Sequence, residues 1–427
     1  MKLRVTVTGL GYLGLVHAAA LAEMGNHVVG MDNDEERMRL IEGGVTPFHE
    51  PELAELVEDH VRTGQLRFTS DVAEVGKYAN VHFLCVGTPV NDDGEVNLDY
   101  LFDAVHALVP HLKGTGNLLV GKSTTPPGTA AKLRVTARAA APAGVGVDVA
   151  WNPEFLREGT AVQDSLYPSR LVLGVGGRDA ERVLREVYSY LIVAHTHVSV
   201  TDTRTAELAK LASNAFLATK ISFINGIAQY CDVNGGDPLG VAEIMGWDHR
   251  IGRLGMHPGL GYGGGCLPKD VEMLTRLADD HGARRLAGLL KQVTRINDWR
   301  RQQVLILAKS LLGGFEGKRV AVLGLAFKSG TSDMRESPGM YLAYTLMYAG
   351  AEVTVYDPHA DSPDFVSGRS AEEAMACTDL VIVTTNDPAW TQINPAELAP
   401  GTVIDCRYVL DRRKWEAAEW DYHEVGR

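Results

Sequence analysis

The chain has 427 residues, more than one ordinary hydrophobic core accommodates, so two or three domains are expected. Hydrophobic residues make up 45% and charged residues 22%, the balance of a soluble globular enzyme and not of a disordered chain. A formal net charge of −13 argues against nonspecific nucleic-acid binding, although local arginines and lysines can still receive an anionic small molecule.

No apolar run reaches bilayer length, and the N-terminal residues enter a strand pattern without a secretory signal. Cys85, Cys231, Cys266, Cys377 and Cys406 are scattered, with neither paired nor metal-ligand spacing. Free thiols, a cytoplasmic location, no membrane partner and no metal are therefore expected.

Val5-Thr6-Val7-Thr8 reads as a first strand. It runs into Gly9-Leu10-Gly11-Tyr12-Leu13-Gly14 and a helical stretch from Leu15 to Met24. His27 to Met31 then reads as a second strand ending at Asp32. Gly-x-Gly-x-x-Gly between a strand and a helix, with an acid at the end of the next strand, is a dinucleotide-binding fingerprint. Its glycines allow a tight turn and close pyrophosphate approach, and the helix N-terminus supplies amide donors. Asp32 would accept both ribose hydroxyls and repel a 2′-phosphate, which favours NAD over NADP.

Further strands are expected at Val81 to Val86, Asn117 to Gly121 and Val147 to Trp151, alternating with helical patterns. Such alternation implies a parallel, doubly wound sheet. Gly87-Thr88-Pro89, Lys122 to Pro126 and Asn152-Pro153-Glu154 each follow a strand. Loops there should line a ligand cleft. Cys85, inside an apolar strand, reads as a buried, inert thiol.

From Thr203 to Cys231 the pattern becomes one long helix, stopped by Asn234-Gly235-Gly236 and roughly 40 Å long at 1.5 Å per residue. Leu208, Leu211, Ala212, Ala215 and Phe216 form its apolar stripe. Glu207, Lys210 and Asn214 share another face, either solvated or part of a site. Gly261-Tyr262-Gly263-Gly264-Gly265 then leads into Cys266-Leu267-Pro268-Lys269-Asp270. Pro268 suits a first helical turn and Asp270 falls within it. A thiol at a helix N-terminus faces unpaired amides and the positive dipole end, which favour thiolate. Helical sequence continues over about 269–312.

Arg319 to Gly324, Glu352 to Asp357, Leu380 to Thr384 and Val403 to Asp405 repeat the α/β order. The turn here lacks the full glycine fingerprint. Gly324-Leu325-Ala326-Phe327-Lys328 places a lysine near the strand end, which suits a nucleotide phosphate better than a second NAD. The fold class is therefore α/β, with two Rossmann-like doubly wound parallel-sheet domains (residues 1–200 and 314–427) joined by a long central helix and a helical region (residues 201–313).

Taken together, the motifs resemble the UDP-glucose/GDP-mannose dehydrogenase family nearly end to end. They include Gly9 to Gly14, Val86 to Pro89, Lys122-Ser123-Thr124, Asn152 to Gly159, Glu207 to Phe216, Asp248 to Gly252, Gly263 to Asp270, Phe327-Lys328 and Asp333 to Ser337. The resemblance implies an N-terminal NAD domain, a helical middle that forms a homodimer or larger homo-oligomer, and a C-terminal domain for the sugar nucleotide. The implied reaction oxidises the 6-hydroxymethyl group of UDP-glucose to a carboxylate with two NAD. Such chemistry needs a nucleophile to turn the intermediate aldehyde into a second hydride donor, and cysteine supplies it best. Cys266 would carry the thiohemiacetal and then the thioester, Lys210 and Asn214 would serve the oxyanion, and Asp270 would share the base work through water. Thr124 and Glu158 would place or activate the hydrolytic water. Glu154 is a second candidate for that base, and the sequence does not choose among Glu154, Glu158 and Asp270.

By the same resemblance, the cofactor turn Gly9, Gly11, Tyr12, Leu13 and Gly14 acts with Asp32, Arg37, Thr88, Thr124, Glu158 and Arg335. The sugar nucleotide would meet the backbone around Phe155, Leu156, Arg157 and Glu158, together with Lys210 and Asn214. His257, Gly261, Tyr262 and Gly263 would form a second loop around it, and Phe327, Lys328 and Arg407 a third group. Arg250 would reach the neighbouring subunit's substrate. Gly265 stands where the family usually has serine, and Leu267 where phenylalanine is common. GDP-mannose, dTDP-glucose or another UDP-hexose are alternative substrates. A one-step hydroxy-acid dehydrogenase or a silent nucleotide-binding protein are the readings from other classes.

Overall fold

The computed structural model describes residues 3–91 and 95–426. Packing divides the chain into two compact units, Met1–Ala212 and Ser213–Arg427.

In the first unit the β-branched runs form strands β1 (Arg4–Thr8), β2 (His27–Met31), β3 (Leu66–Thr69), β4 (Val81–Leu84), β5 (Asn117–Gly121), β6 (Val147–Trp151), β7 (Leu171–Gly174) and β8 (Val198–Thr201). They lie side by side in the order β3-β2-β1-β4-β5-β6-β7-β8. Val5 pairs with Val28 and with Val81, fixing the register of the centre. Val5, Val7, Val28, Val29 and Phe83 are fully buried because helices cover both faces. One apolar layer packs the helix Tyr12–Glu23 on the sheet, and the other packs the helices Asp99–Leu108 and Thr129–Ala140. Strand order reverses between β1 and β4, so the glycine turn after β1 and the loop after β4 sit together at the switch point where ligands bind.

The sheet is not parallel throughout. β7 meets β6 antiparallel at the single pair Trp151–Gly174, and β8 then runs parallel to β7. Nothing in a short apolar run such as Leu171–Gly174 encodes its direction; the loop that precedes it does.

The long helix is Thr203–Asn234, three residues beyond its expected end at Cys231, and Gly235 closes it in the left-handed conformation that glycine adopts at least cost. Its Glu207 is buried. The carboxylate accepts the Gly128 and Ala130 amides, the latter at 2.6 Å, at the N-terminus of the helix Thr129–Ala140. The acid that reads as part of a polar face is thus a helix cap. Burial pushes its carboxyl up, against those two amide bonds.

In the second unit, the helical stretch expected over 269–312 is two helices, Leu267–Asp280 and Arg284–Leu312, broken at Gly282 with φ +78°. Strands β9 (Arg319–Leu323), β10 (Glu352–Tyr356), β11 (Val366–Ser367), β12 (Leu380–Val383), β13 (Thr402–Asp405) and β14 (Asp421–Glu424) form a fully parallel sheet ordered β11-β10-β9-β12-β13-β14. This is the arrangement of the first six strands of the other unit.

The likeness extends to the turn. In the first unit the Leu10 amide donates to Asp32 at 2.6 Å; in the second, the Leu325 and Ala326 amides donate to Asp357 at 2.8 and 3.0 Å. A Cβ on Gly14 would lie 1.7 Å from the Gly9 carbonyl oxygen, and one on Gly339 would lie 2.1 Å from the Gly324 carbonyl oxygen. The glycine missing from the second turn is therefore present as Gly339, at the start of the helix Pro338–Tyr348. Residues 325–337 loop out in between, carrying Phe327, Lys328, Asp333 and Arg335.

Among the described residues no helix is long and apolar enough to cross a membrane. Arg300, 1% exposed, ties the second unit together by donating to the Gly259 carbonyl at 3.0 Å, the Val425 carbonyl at 2.8 Å and the Gln303 side chain at 3.0 Å. Arg300→Met should leave both carbonyls unsatisfied and lower stability by about 3 kcal/mol in urea unfolding; a loss below about 0.5 kcal/mol would show that the guanidinium does not hold these segments.

Candidate active site

The candidate site residues divide between the two units. Gly9, Gly11, Tyr12, Leu13, Gly14, Asp32, Arg37, Thr88, Thr124, Glu154, Phe155, Leu156, Arg157, Glu158 and Lys210 belong to the first. Asn214, Arg250, His257, Gly261, Tyr262, Gly263, Cys266, Asp270, Phe327, Lys328, Arg335 and Arg407 belong to the second.

The glycines of the first turn have different duties. Gly9 and Gly14 allow backbone contact, since a Cβ on Gly9 would meet the Cys85–Val86 peptide at 2.9 Å. Gly11 has open space where a Cβ would stand and is the N-cap of the helix Tyr12–Glu23, which leaves room for a pyrophosphate against the first amides. Asp32, 4% exposed, accepts from Leu10 and from Arg37 at 2.8 Å through one oxygen, and from the Asp34 amide at 3.0 Å through the other. Arg37 also reaches Asp34 at 3.1 Å. The Thr88 hydroxyl donates to the Thr124 carbonyl at 2.9 Å, joining the loops after β4 and β5. This cradle fits a dinucleotide with free ribose hydroxyls.

After β6, Glu154 and Lys210 form an ion pair at 2.7 Å with side chains 13% and 6% exposed. Burial works to raise the Glu154 carboxyl. The Lys210 charge and hydrogen bond, the Leu156 amide and Lys122 outweigh it, so Glu154 sits below its ordinary range. A carboxylate held ionised in this way is a weak proton acceptor and a strong counter-ion. Lys210 and Arg170 flank the Phe155 ring at 5.7 and 3.7 Å from its centre. Arg157, whose backbone is expected at the sugar nucleotide, points its guanidinium to Asp164 at 2.7 and 2.9 Å.

Sequence reasoning passed over Lys122 as a site residue. It is buried, donates to the Asn152 side-chain oxygen at 2.9 Å, and shares that oxygen with the Tyr188 hydroxyl. Burial pulls its ammonium down to about 8, with Lys210 adding to the effect and Cys85 and Glu154 opposing it. The signals available were a lysine at the end of a buried strand and its place in the Lys122-Ser123-Thr124 motif.

In the second unit the glycine loop is threaded between close neighbours. A Cβ on Gly261 would lie 2.2 Å from the Asn297 side-chain oxygen, and one on Gly263 would lie 2.2 Å from the Glu336 carbonyl oxygen. Gly264, at φ +81°, lies against the Phe327 ring, and its amide donates to the Arg335 carbonyl at 2.9 Å. Asn297 brackets Tyr262 with bonds of 2.8 and 3.1 Å, and the buried Arg301, also unread from sequence, donates to the Tyr262 carbonyl at 2.9 Å. Gly265 in place of serine has a structural counterpart, because a Cβ there would stand 2.6–2.9 Å from the Arg335 guanidinium. Asp333 holds that guanidinium with both carboxylate oxygens.

Cys266 is exposed at the N-cap of Leu267–Asp280. One turn on, Asp270 is 1% exposed and accepts from the Asn214 amide at 2.6 Å and from Lys269 at 2.7 Å. Cys85 and Cys406 are buried; burial pushes the Cys85 thiol up to about 12 and moves Cys406 in the same direction. The inert reading of Cys85 holds.

Arg407 packs its guanidinium on Gly259 and donates to the Thr384 carbonyl at 2.7 Å; burial pulls it down to about 10. Lys328 lies over the Phe327 ring. His257 contacts the Pro258 carbonyl, and its ring stands edge-on to Tyr408. Arg250 is 80% exposed and paired with Asp248. The loop that carries it is fastened by Lys220, whose ammonium donates to the Ile251, Gly252 and Leu254 carbonyls at 3.0, 3.4 and 2.6 Å.

Three models of the UDP-glucose/GDP-mannose dehydrogenase family match in order: its NAD binding domain over residues 3–192, its central domain over 204–299 and its UDP binding domain over 321–412. The chain belongs to this family. It is 39% identical to a UDP-glucose 6-dehydrogenase of Rhizobium meliloti across the full length of both. It is 36% identical to the UDP-glucose 6-dehydrogenase TuaD of Bacillus subtilis, over 99% of this chain and 93% of that protein. Among solved structures, a UDP-glucose dehydrogenase from Pyrobaculum islandicum matches with a TM-score of 0.93 and 36% identity, covering 100% of this chain and 98% of that one. The cradle after β1 is thus the NAD-binding part of a family dehydrogenase, and Phe327, Lys328 and Arg407 fall within its UDP binding domain.

The buried ammonium beneath this cluster gives a signed expectation. A cation depressed to about 8 makes the folded state prefer the neutral amine. The penalty is complete below pH 8 and is relieved as pH rises toward the ordinary lysine value, where the unfolded chain also loses its proton. Wild-type stability should therefore gain on Lys122→Met by up to about 3 kcal/mol between pH 8 and about 10.4. Urea melts at both ends of that window check this, and a constant difference contradicts it.

Proposed function

We propose that this protein oxidises UDP-glucose to UDP-glucuronate, giving two hydrides to two NAD and consuming one water. The observation that carries this reading is an exposed Cys266 on a glycine loop, one helical turn from a buried Asp270 that Asn214 holds in place. A one-step alcohol dehydrogenase has no use for such a nucleophile. Full-length likeness to several UDP-glucose 6-dehydrogenases supports the substrate.

Bound NAD would supply the hydride acceptor for each oxidation. The C6 hydroxyl proton passes toward Asp270 through a water as the first hydride leaves, giving an aldehyde. The Cys266 thiolate then adds to the aldehyde carbon, and the new oxyanion is met by the Lys210 ammonium, with Glu154 as the counter-ion that keeps its place. Loss of the second hydride converts the thiohemiacetal to a thioester. Water, placed by Thr124 and Glu158, adds to the thioester carbon and expels the thiolate, leaving the carboxylate and a regenerated Cys266. Lys328 and Arg407 suit the pyrophosphate of the sugar nucleotide, with Phe327 beside them. Free thiols at all five cysteines suit a cytoplasmic setting.

We further infer that the helical region 201–313 forms a homodimer. Phe216, Phe223 and Tyr230 recur every seven residues along one stripe of the long helix and are 66%, 49% and 64% exposed, and Ile244 and Trp247 are exposed as well. A seven-residue aromatic repeat left in water is what a partner helix covers. In a dimer, Arg250 would be available to the neighbouring subunit's substrate.

With limiting UDP-glucose and excess NAD, two NADH per sugar should form, with UDP-glucuronate as product. Cys266→Ser should keep sugar-nucleotide binding and make no uronate. One NADH with an accumulating aldehyde contradicts the thioester route, and inert UDP-glucose with active GDP-mannose or dTDP-glucose changes the substrate. Phe223→Asp should shift sedimentation from dimer to monomer at micromolar concentration; an unchanged dimer would place the interface elsewhere.

A further inference from the structure

Glu50 lies just before the helix Leu53–Arg62, far in sequence from the site motifs, and is only 5% exposed. Its carboxylate takes three donors. One oxygen accepts the Ala161 amide at 2.6 Å; the other accepts the Gly159 amide at 2.7 Å and the Tyr12 hydroxyl. Tyr12 belongs to the glycine turn and opens the helix Tyr12–Glu23, whereas Gly159 follows directly on Glu158 and Ala161 comes two residues later. The Tyr12 hydroxyl is also 3.3 Å from the Gly159 amide.

A second tie runs in parallel. The Gln163 side-chain amide donates to Glu52, which holds φ +67° without being glycine. That conformation costs on the order of 1 kcal/mol and persists only where the surroundings fix it. Residues 50–52 are therefore fastened to residues 159–163 at both ends. Burial, followed by the bond to Glu50, pushes the Tyr12 phenol up, so it stays a donor. A buried carboxylate is tolerable only with its donors in place, which makes Glu50 a bolt between the two turns.

We propose that Glu50 is a positioning residue that couples the dinucleotide turn to the turn carrying Glu158, so that occupancy of the cofactor site sets the place of the water-side carboxylate. This rests on the proposed function, in assigning Tyr12 to the cofactor and Glu158 to hydrolysis.

The test compares full-length wild type, Glu50→Gln, Tyr12→Phe and the double variant. NAD affinity and hydrogen exchange of residues 157–163 are measured without sugar, and NADH release is followed in the first turnovers of UDP-glucose. In wild type, NAD should slow exchange at Gly159 and Ala161. In Glu50→Gln that response should vanish, NAD should bind about tenfold more weakly, and hydrolysis should slow about tenfold, giving a burst of two NADH per site and an acyl group trapped on Cys266. Tyr12→Phe removes one donor of three and should show the same effects in smaller size. The double variant should be no worse than Glu50→Gln.

Weaker NAD binding with an intact exchange response and unimpaired hydrolysis overturns the coupling. So does slow hydrolysis with unchanged NAD affinity, or a lowered Tm as the sole effect. If Glu50→Gln fails to fold, Tyr12→Phe decides by the same readouts. Should wild type leave UDP-glucose unoxidised, the proposed function falls, and the exchange response to NAD still decides the coupling.

Discussion

Both sheets depend on one kind of contact: a carbonyl oxygen pressed against a backbone that carries no side chain. Gly14 on Gly9, Gly339 on Gly324, and Gly263 on the Glu336 carbonyl would each be broken by a single methyl group at 1.7–2.2 Å. The first two bring a helix N-terminus down onto the end of a central strand, where its amides can face an anion. The third pins the cysteine loop. Because no larger residue fits, Cys266 and the cofactor turn are held by backbone geometry, which does not fluctuate as side-chain rotamers do.

Charge is handled by burial in pairs. Glu154 and Lys210 neutralise one another inside the first unit, Asp270 is shared between an amide and a lysine in the second, and Glu207 caps a helix. A lone buried charge would shift its proton or unfold the site; a paired one stays ionised and stays in place. A carboxylate beside Lys210 therefore serves better as an anchor for the cation than as a proton acceptor. Lys122 adds a second cation beneath the pair. The cluster then holds two ammonium groups against one carboxylate, a balance suited to receiving a negative charge.

Local patterns carried a great deal by themselves. Strand alternation, the spaced glycines with Asp32, the long helix and the cysteine set between glycines and Pro268 all follow from short-range chemistry. They were sufficient for two α/β domains, an NAD site and a thiol at a helix start. Family motifs then named the remaining candidate site residues. What only the tertiary structure decided depends on which distant residues meet. The direction of β7, the capping use of Glu207, the pairing of Glu154 with Lys210, the seat of Arg335 on Gly265 and the threefold grip of Glu50 all involve partners far apart in sequence. Gly339 makes the point most directly. It completes the second turn as Gly14 completes the first, yet the intervening loop hides it from any motif of fixed spacing, because steric contact is set by distance in space and not by position along the chain.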